Sequence, residues 1–439
     1  MRTINVDFSE KIGKVKPMHA VNNGPTGGGV RGGGNAKYFK EAGIPYARLH
    51  DSAFYWTDSV DVHKIFVNFD ADVNDPNSYD FTWTDKYIKT IIDNGVQVFY
   101  RLGASIEHRK KVGTHVPKDY TKWAQICEHI IMHYNCGWAN GFEYGIDYWE
   151  IWNEFDCKNA DGSNPCWQGT VKQFGDFFSV VAKYLKDKFP TLKIGGPAIC
   201  NVWNDAEVTE FFDIITENKV ELDFVSYHRY GKTVEDFIET IQKANGIFAK
   251  YGYDKCEKIL NEWNYIKGWL DDEWAYSLKT EKNYKGAAFL AGVFLASHAE
   301  DLDMLMYYDA RPSGMNGMFD RDDHSPLKPY YPFKAFNNLY KLENATKTSV
   351  EGEYIYALSA TNDTESGIMF SFFDDEEKEK NTTVKLNING LVDGKKTAKF
   401  YIIDEDKNLE LVKTKKISKT ACTLKIKVNK YSVCYVEIV

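Results

Sequence analysis

Tyr148-Trp149-Glu150-Ile151-Trp152-Asn153-Glu154 is an apolar and aromatic run that stops on an amide and a carboxylate. It reads as a buried strand with chemistry at its exit. Lys258-Ile259-Leu260-Asn261-Glu262-Trp263-Asn264 repeats the pattern, carrying a short apolar strand into a second carboxylate. In an α/β barrel every loop that follows a strand opens on one face, and that face gathers the functional groups. Two strand-end carboxylates separated by several βα units are the minimum equipment for cleaving a glycosidic bond with a general acid and a nucleophile.

Outward from these two stretches the chain alternates strand and helix patterns. Strands are expected at 15–22, 46–50, 96–102, 148–152, 192–195, 222–227, 258–260 and 304–308. Helices are expected at 35–42, 85–94, 120–134, 170–189, 234–251 and 285–299, with another containing 211–216. Eight strands with intervening helices predict a (β/α)8 TIM barrel over residues 15–342. An open doubly wound sheet is the alternative, but it would not place so many strand ends around one point. From residue 343 to 439 short alternating segments separated by Asp-Gly and Asn-Gly turns predict a small all-β sandwich. Strands are expected there at 348–358, 366–373, 382–386 and 398–403, and from 424 and 431. Residues 1–14 read as an N-terminal strand able to join that sandwich, and the charged run 374–380 as a solvated hairpin tip.

Lys and Arg total 54 against 63 Asp and Glu, a net charge of −9, which disfavours nucleic acid or an anionic membrane as partner. A neutral ligand fits better. With 11 Trp and 28 Tyr, the chain carries many flat faces with polar edges that suit sugar rings, although core packing explains most of them. The first residues contain no apolar stretch long enough for a signal peptide or a span. A natural start at Met1 therefore implies the cytoplasm, and a removed signal peptide would imply secretion. The eight cysteines show no metal-ligand spacing and read as free thiols. Cys157 and Cys166 bracket the loop after the first carboxylate and are the one pair placed to close it as a disulfide.

Two features suggest ligands and are set aside. The glycine-rich stretch 24–34 lacks the GK[ST] ending of a phosphate loop and the context of a dinucleotide site, so it reads as a flexible rim loop. His129 and His133 share a helix face at i, i+4, but no glutamate follows the first and no third ligand is evident. No metal and no cofactor is expected. Arg48 and Arg101, on the second and third strands, must meet carboxylates inside a barrel, and Glu150 and Glu262 are the partners on offer.

Trp152-Asn153-Glu154, Asp223-Phe224-Val225-Ser226 with His228 and Tyr230, and Glu262-Trp263-Asn264 together resemble the retaining glycosidases of clan A, most closely glycoside hydrolase family 39 with its β-xylosidases and α-L-iduronidases. The resemblance implies a barrel followed by a β-sandwich. It implies Glu154 as acid/base and Glu262 as nucleophile, with net retention. It further implies Asn153 on the sugar 2-hydroxyl, His228 or Tyr230 orienting Glu262 or the substrate, and His50 on sugar hydroxyls. Tyr308 would belong to the pocket floor, with Asp309 and Arg311 on the rim. Phe155 departs from the pattern, since many relatives have proline there, and the glycine-rich first loop is a second departure.

The function expected is a retaining, exo-acting, β-xylosidase-like hydrolase of plant-wall oligosaccharides. An α-L-arabinofuranosidase or arabinobiosidase-type enzyme on the same barrel is the alternative, and a non-catalytic carbohydrate-binding protein the alternative of another class. An iduronidase would need cations for the sugar carboxylate, for which Arg31, Lys158 and Arg311 are candidates. The partner is an oligosaccharide or glycoside; a homo-oligomer is left open.

Overall fold

A computed structural model describes residues 1–26, 34–51, 58–108, 110–313, 315, 317–362, 364–378 and 380–439. The centre of the glycine-rich loop, Arg31 included, lies outside the described residues.

Strands β2 (Ala20–Asn22), β3 (Tyr46–Arg48), β4 (Gln97–Leu102), β5 (Tyr148–Ile151), β6 (Lys193–Ile199), β7 (Phe224–Gly231), β8 (Glu257–Tyr265) and β9 (Met304–Tyr307) close in that order into an all-parallel barrel. The expected barrel is therefore present, with strands one to three shorter than the sequence pattern suggested. Its floor is a compact apolar cluster of Ala20, Phe99, Tyr148, Phe224, Ile259, Met304 and Met306. Above the floor the interior turns polar. Outward-facing residues such as Trp149 and Ile151 join the core shared with the helices.

The helices follow from local signals. Val171–Lys188 opens on a capping box, in which Thr170 accepts from the Gln173 N–H and the Gln173 side chain accepts from the Thr170 N–H. Its Phe174, Phe177, Phe178, Val181, Ala182 and Leu185 make one buried face. Tyr284–His298 is apolar nearly all round. Such a helix needs cover on every side, and the second domain supplies it. Three α-helices among the described residues, the short Val62–Ile65 and the longer Asp271–Thr280 and Tyr330–Tyr340, were not anticipated.

The second domain adds β10 (Asn344–Glu351), β11 (Ile355–Thr361), β12 (Ser366–Phe372), β13 (Asn381–Asn389), β14 (Lys396–Ile403), β15 (Asn408–Ile417), β16 (Cys422–Asn429) and β17 (Ser432–Ile438). They bond in the order β15-β14-β17-β12-β11-β10-β1-β13-β16, with β1 (Arg2–Lys14) antiparallel to β10 and parallel to β13. The sheet folds over, so that β1, β13 and β16 share one core with β12, β14 and β17, as a sandwich does. The single strand expected at 348–358 is in fact two, because Gly352 and Tyr354 turn the chain through positive φ values of 106° and 63°. Strand β15 is largely exposed and too polar to announce itself.

The outer face of the sandwich packs on the Tyr284–His298 helix. There Ser371 Oγ donates to the Ala288 carbonyl at 2.6 Å. Lys285 Nζ lies 2.8 Å from Asp375 Oδ1, with Tyr265 donating to the same oxygen. The run 374–380 is thus not wholly a solvated tip: Asp374 at its start is buried and the half-buried Asp375 pairs with Lys285.

Candidate active site

The carboxylate ends of β5 and β8 face one another across the barrel mouth because both backbones depart from regular strand geometry. After β5, Trp152 and Glu154 take positive φ values of 73° and 50°, an uncommon conformation for residues other than glycine. The strand's two-residue alternation is lost there, and Asn153 and Glu154 both face the polar interior. In β8 the register against β7 slips between Tyr227↔Leu260 and His228↔Glu262. Asn261 is the extra residue of this bulge, so it and Glu262 can both point inward.

Beneath the mouth sits a fully buried ion pair. Arg48 Nε donates to Glu150 Oε2 at 2.7 Å, Nη1 to Asn22 Oδ1 at 3.0 Å and Nη2 to Asn153 Oδ1 at 2.6 Å. Arg48 Nη1 also reaches Glu262 Oε2 at 3.3 Å. Burial opposes the guanidinium charge, but Glu150 and Glu262 more than offset it, and its pKa is raised. Glu150 Oε1 additionally accepts from Ser226 Oγ at 2.6 Å and Asn261 Nδ2 at 2.5 Å. Arg101 does not join this network as expected. It pairs with Asp61 at 2.7 Å, on the segment between β3 and β4, because Asp61 is carried inward and is itself fixed by the Ser105 N–H.

Glu154 and Glu262 are held by different groups. Glu154 Oε1 is 2.7 Å from His228 Nδ1, and its Oε2 lies 3.8 Å from Cys166 Sγ. Burial first, then the neighbouring Cys157 and Asp156, pushes its pKa well above the usual carboxylate range. Glu262 Oε1 accepts from Tyr230 OH at 2.6 Å while Oε2 faces Arg48. Burial pushes its pKa up to about 7, and His228, the Arg48 charge and the Tyr230 hydroxyl restrain the rise. One oxygen of each carboxylate and a His228 ring nitrogen lie within 4.8 Å of one another. Burial lowers His228 to about 4, so near neutrality its imidazole is uncharged.

Around this pair, buried polar atoms face the interior without protein partners among the described residues: Asn153 Nδ2, His50 Nδ1 and His228 Nε2. A bound sugar's hydroxyls are suitable partners for such groups. Tyr308 OH donates to Asp51 Oδ2 at 2.9 Å and accepts from Arg311 Nη2 at 2.8 Å, while Arg311 Nε is 2.5 Å from Asp309 Oδ2. The structure thus gathers Glu154, Glu262, Asn153, His228, Tyr230, Arg48 and Glu150 into one network. His50 and Tyr308 lie beside it, their rings 6.4 Å apart. Only Arg101 belongs to a separate pair.

Sequence reasoning missed Ser226 and Asn261, which complete Glu150, and Asn22, which accepts from Arg48. Ser226 and Asn261 stood inside the quoted motifs, yet nothing in a lone polar residue shows which way a bulged strand turns it. His133 is committed elsewhere, at 2.9 Å from Asp85 and stacked 3.6 Å from the Phe81 ring, and His129 is bonded to the Gln125 carbonyl. All eight cysteines, Cys157 and Cys166 included, are free thiols.

Known proteins resemble this chain in sequence and in fold. A β-xylosidase of Geobacillus stearothermophilus is 29% identical over 167 residues, covering 35% of this chain and 31% of that protein. One from Caldicellulosiruptor saccharolyticus is 27% identical over 199 residues, covering 43% and 37%. The matched segments thus span about a third of each relative's length. In three dimensions a glucosidase from Croceicoccus marinus superposes over 100% of this chain and 99% of its own, with a TM-score of 0.82 at 20% identity, a likeness of fold. The sequence pattern of glycosyl hydrolases family 39 matches residues 35–353, most of the chain, which therefore belongs to that family.

Proposed function

We propose that the protein is a retaining, exo-acting glycosidase of β-xylosidase type, with Glu154 as acid/base and Glu262 as nucleophile. The observation that carries this reading is the approach of the two carboxylates, one oxygen of each lying within 4.8 Å. Retaining glycosidases hold their carboxyl groups roughly 5–5.5 Å apart, whereas inverting ones leave about 6.5–9.5 Å for a water.

The environments divide the roles. Glu262 has a guanidinium and a phenol hydroxyl to stabilise its charge, so it ionises first and attacks the anomeric carbon. Glu154 has no cation in direct contact, keeps its proton longer and delivers it to the departing glycosidic oxygen. The carbon–oxygen bond to the leaving group breaks as the bond to Glu262 forms. Glu154, now ionised, takes a proton from water as that water releases the sugar. Asn153 Oδ1 is held by Arg48, which leaves its amide N–H free to donate to the sugar 2-hydroxyl. His50 and His228 contribute further hydroxyl contacts, Tyr308 forms part of the floor, and residues 15–342 are the catalytic unit.

The β-xylosidase relatives support a neutral pentose. So do the ion pairs of Arg311 with Asp309 and Lys158 with Glu207, which commit two cations that a uronic acid would need. The decisive experiment sets aryl β-xyloside, α-L-arabinofuranoside and β-glucoside side by side, with Glu262→Ala as blank and the first-formed anomer read by proton NMR. Hydrolysis of the β-xyloside with retention, lost in the variant, is expected. An inverted first product would sink the nucleophile assignment. Preference for the arabinofuranoside would move the substrate class, and silence across the panel and on natural oligosaccharides would indicate a binding protein.

A further inference from the structure

Three of the eight cysteines converge beside Glu154. Cys157 and Cys166 lie in the loop after β5, and Cys200 lies just past the end of β6. A carboxyl oxygen of Glu154 and the Sγ atoms of Cys157 and Cys166 all lie within 4.8 Å of one another, Cys166 Sγ being 3.8 Å from Oε2. Cys200 stands outside that group but near enough to Cys157 and Glu154 to interact with both. Their spacing in the chain matches no metal motif; pairing of β5 with β6 brings them together.

We propose that Cys157, Cys166, Cys200 and the Glu154 carboxylate form a site for a thiophilic divalent cation of the Zn2+ type, and that its occupancy reversibly silences hydrolysis. Three sulfurs and one oxygen are a tetrahedral donor set, and arms of about 2.3 Å to sulfur imply ligand–ligand edges near ~3.8 Å. The Cys157 and Cys166 thiols and the Glu154 oxygen already approach that spacing. Cations that demand six or more oxygens do not fit such a set.

The surroundings hold the donors as a metal site requires. Glu154 divides its oxygens, with Oε1 against His228 and Oε2 toward the thiols, so a cation can take Oε2 without displacing the histidine. Asn164 Oδ1 accepts from the Cys166 N–H at 2.7 Å. Asp156 accepts from the Cys200 and Asn201 N–H groups at 2.8 and 3.0 Å. Cys157 and Cys200 are only partly buried, which leaves an entry path. The binding site stands on the geometry of Glu154, Cys157 and Cys166, and Cys200 is the fourth donor of the proposal. The loss of hydrolysis rests on Glu154 as proton donor, as proposed above, because a carboxylate held by the cation cannot carry that proton.

The test titrates the full chain, kept reduced with a phosphine, first with Co2+ and then with Zn2+. An intense thiolate-to-cobalt charge-transfer band in the near ultraviolet is expected, displaced by Zn2+, with hydrolysis lost on loading and restored by a chelator. Cys157→Ser and Cys200→Ser should each weaken Zn2+ by more than the roughly 10- to 100-fold that removal of a supporting group costs. Cys127→Ser, in the Tyr120–Asn135 helix, should change nothing. Absence of the band, or its survival in the Cys157→Ser/Cys200→Ser double variant, would overturn the site. Should those variants not fold, the unmodified chain still decides: Zn2+ must protect Cys157 and Cys200 from iodoacetamide, and equal labelling refutes the proposal. Glu154→Gln should keep the band with weaker affinity, and unchanged affinity would remove Glu154 from the ligand set. Since the band needs no turnover, hydrolysis persisting in Glu154→Gln would refute the proton-donor reading without touching the site.

Discussion

Glu150 and Glu154 belong to the same short stretch and are both buried, yet the fold surrounds them with different partners. Glu150 has three polar partners, Arg48 donating to one oxygen and Ser226 and Asn261 to the other, and Asn22 in turn steadies the arginine. Glu154 has an imidazole, weakly bonding thiols and no cation in direct contact. A buried carboxylate whose lone pairs are filled is fixed in charge and position, whereas one left short of partners is free to exchange a proton. The comparison teaches that accounting for each oxygen separates a scaffold acid from a reactive one where sequence type and burial do not.

The largest expected effect comes from removing the under-partnered acid. Glu154→Ala should reduce kcat/KM on an unactivated glycoside by about 10²- to 10⁴-fold, the usual range for general acid–base catalysis. Thermal stability should hold or rise, because a desolvated carboxyl is lost. A fall in Tm as large as that of a core truncation would blur the distinction drawn above. Glu150→Ala is the converse: it strands the Arg48 guanidinium in the interior and should cost about 3–5 kcal/mol of stability. Denaturant unfolding measures this, and a variant as stable as the parent would show that Glu150 is not the scaffold acid. Ser226→Ala is a gentler cut. It leaves a Glu150 lone pair empty and also orphans the Ala198 N–H, which donates to Ser226 Oγ at 2.9 Å. About 1.5–3 kcal/mol of stability should be lost, with the pH dependence of turnover unmoved.

The barrel and both candidate carboxylates were legible because their signals are local: apolar runs ending in Asn-Glu and Asn-Glu-Trp, glycine and proline stops, and a regular strand–helix alternation. The pairing of Arg48 with Glu150 followed from the need to neutralise a buried charge. What stayed hidden depends on register and long-range closure. The bulge at Asn261 and the positive φ values of Trp152 and Glu154 redirect side chains in ways that alternation cannot predict. Asp61 claims Arg101 from a segment whose path no periodicity reveals. Strand β15 carries Lys and Glu on exposed positions and gives no apolar alternation to detect. Cys200 sits more than thirty residues from Cys166 and meets its partners only when β5 and β6 pair.

Tyr230→Phe makes the smallest change and the most informative one, since it removes a single hydrogen bond from Glu262 and leaves the ring's edge-on contact with Trp269 intact. The hydroxyl stabilises the ionised form of Glu262, so without it the pKa rises above its value of about 7. The ascending limb of kcat/KM against pH, which reports ionisation of the nucleophile in the free enzyme, must therefore move to higher pH. A hydrogen bond to a charged group is worth about 1.5 kcal/mol at the lower end of its range, or roughly one pH unit and a tenfold loss of rate below the limb. Stability should respond in the same sense. A carboxyl whose folded pKa lies above its unfolded value of 4.5 contributes stability that fades as pH rises through that interval. The variant extends the fading to higher pH, making the native state less stable than the parent in alkaline solution while matching it in acid. A limb that stays in place would mean that Glu262 is not the group whose ionisation switches the enzyme on, and the comparison between filled and unfilled carboxylates would then have to be redrawn around Glu154 alone.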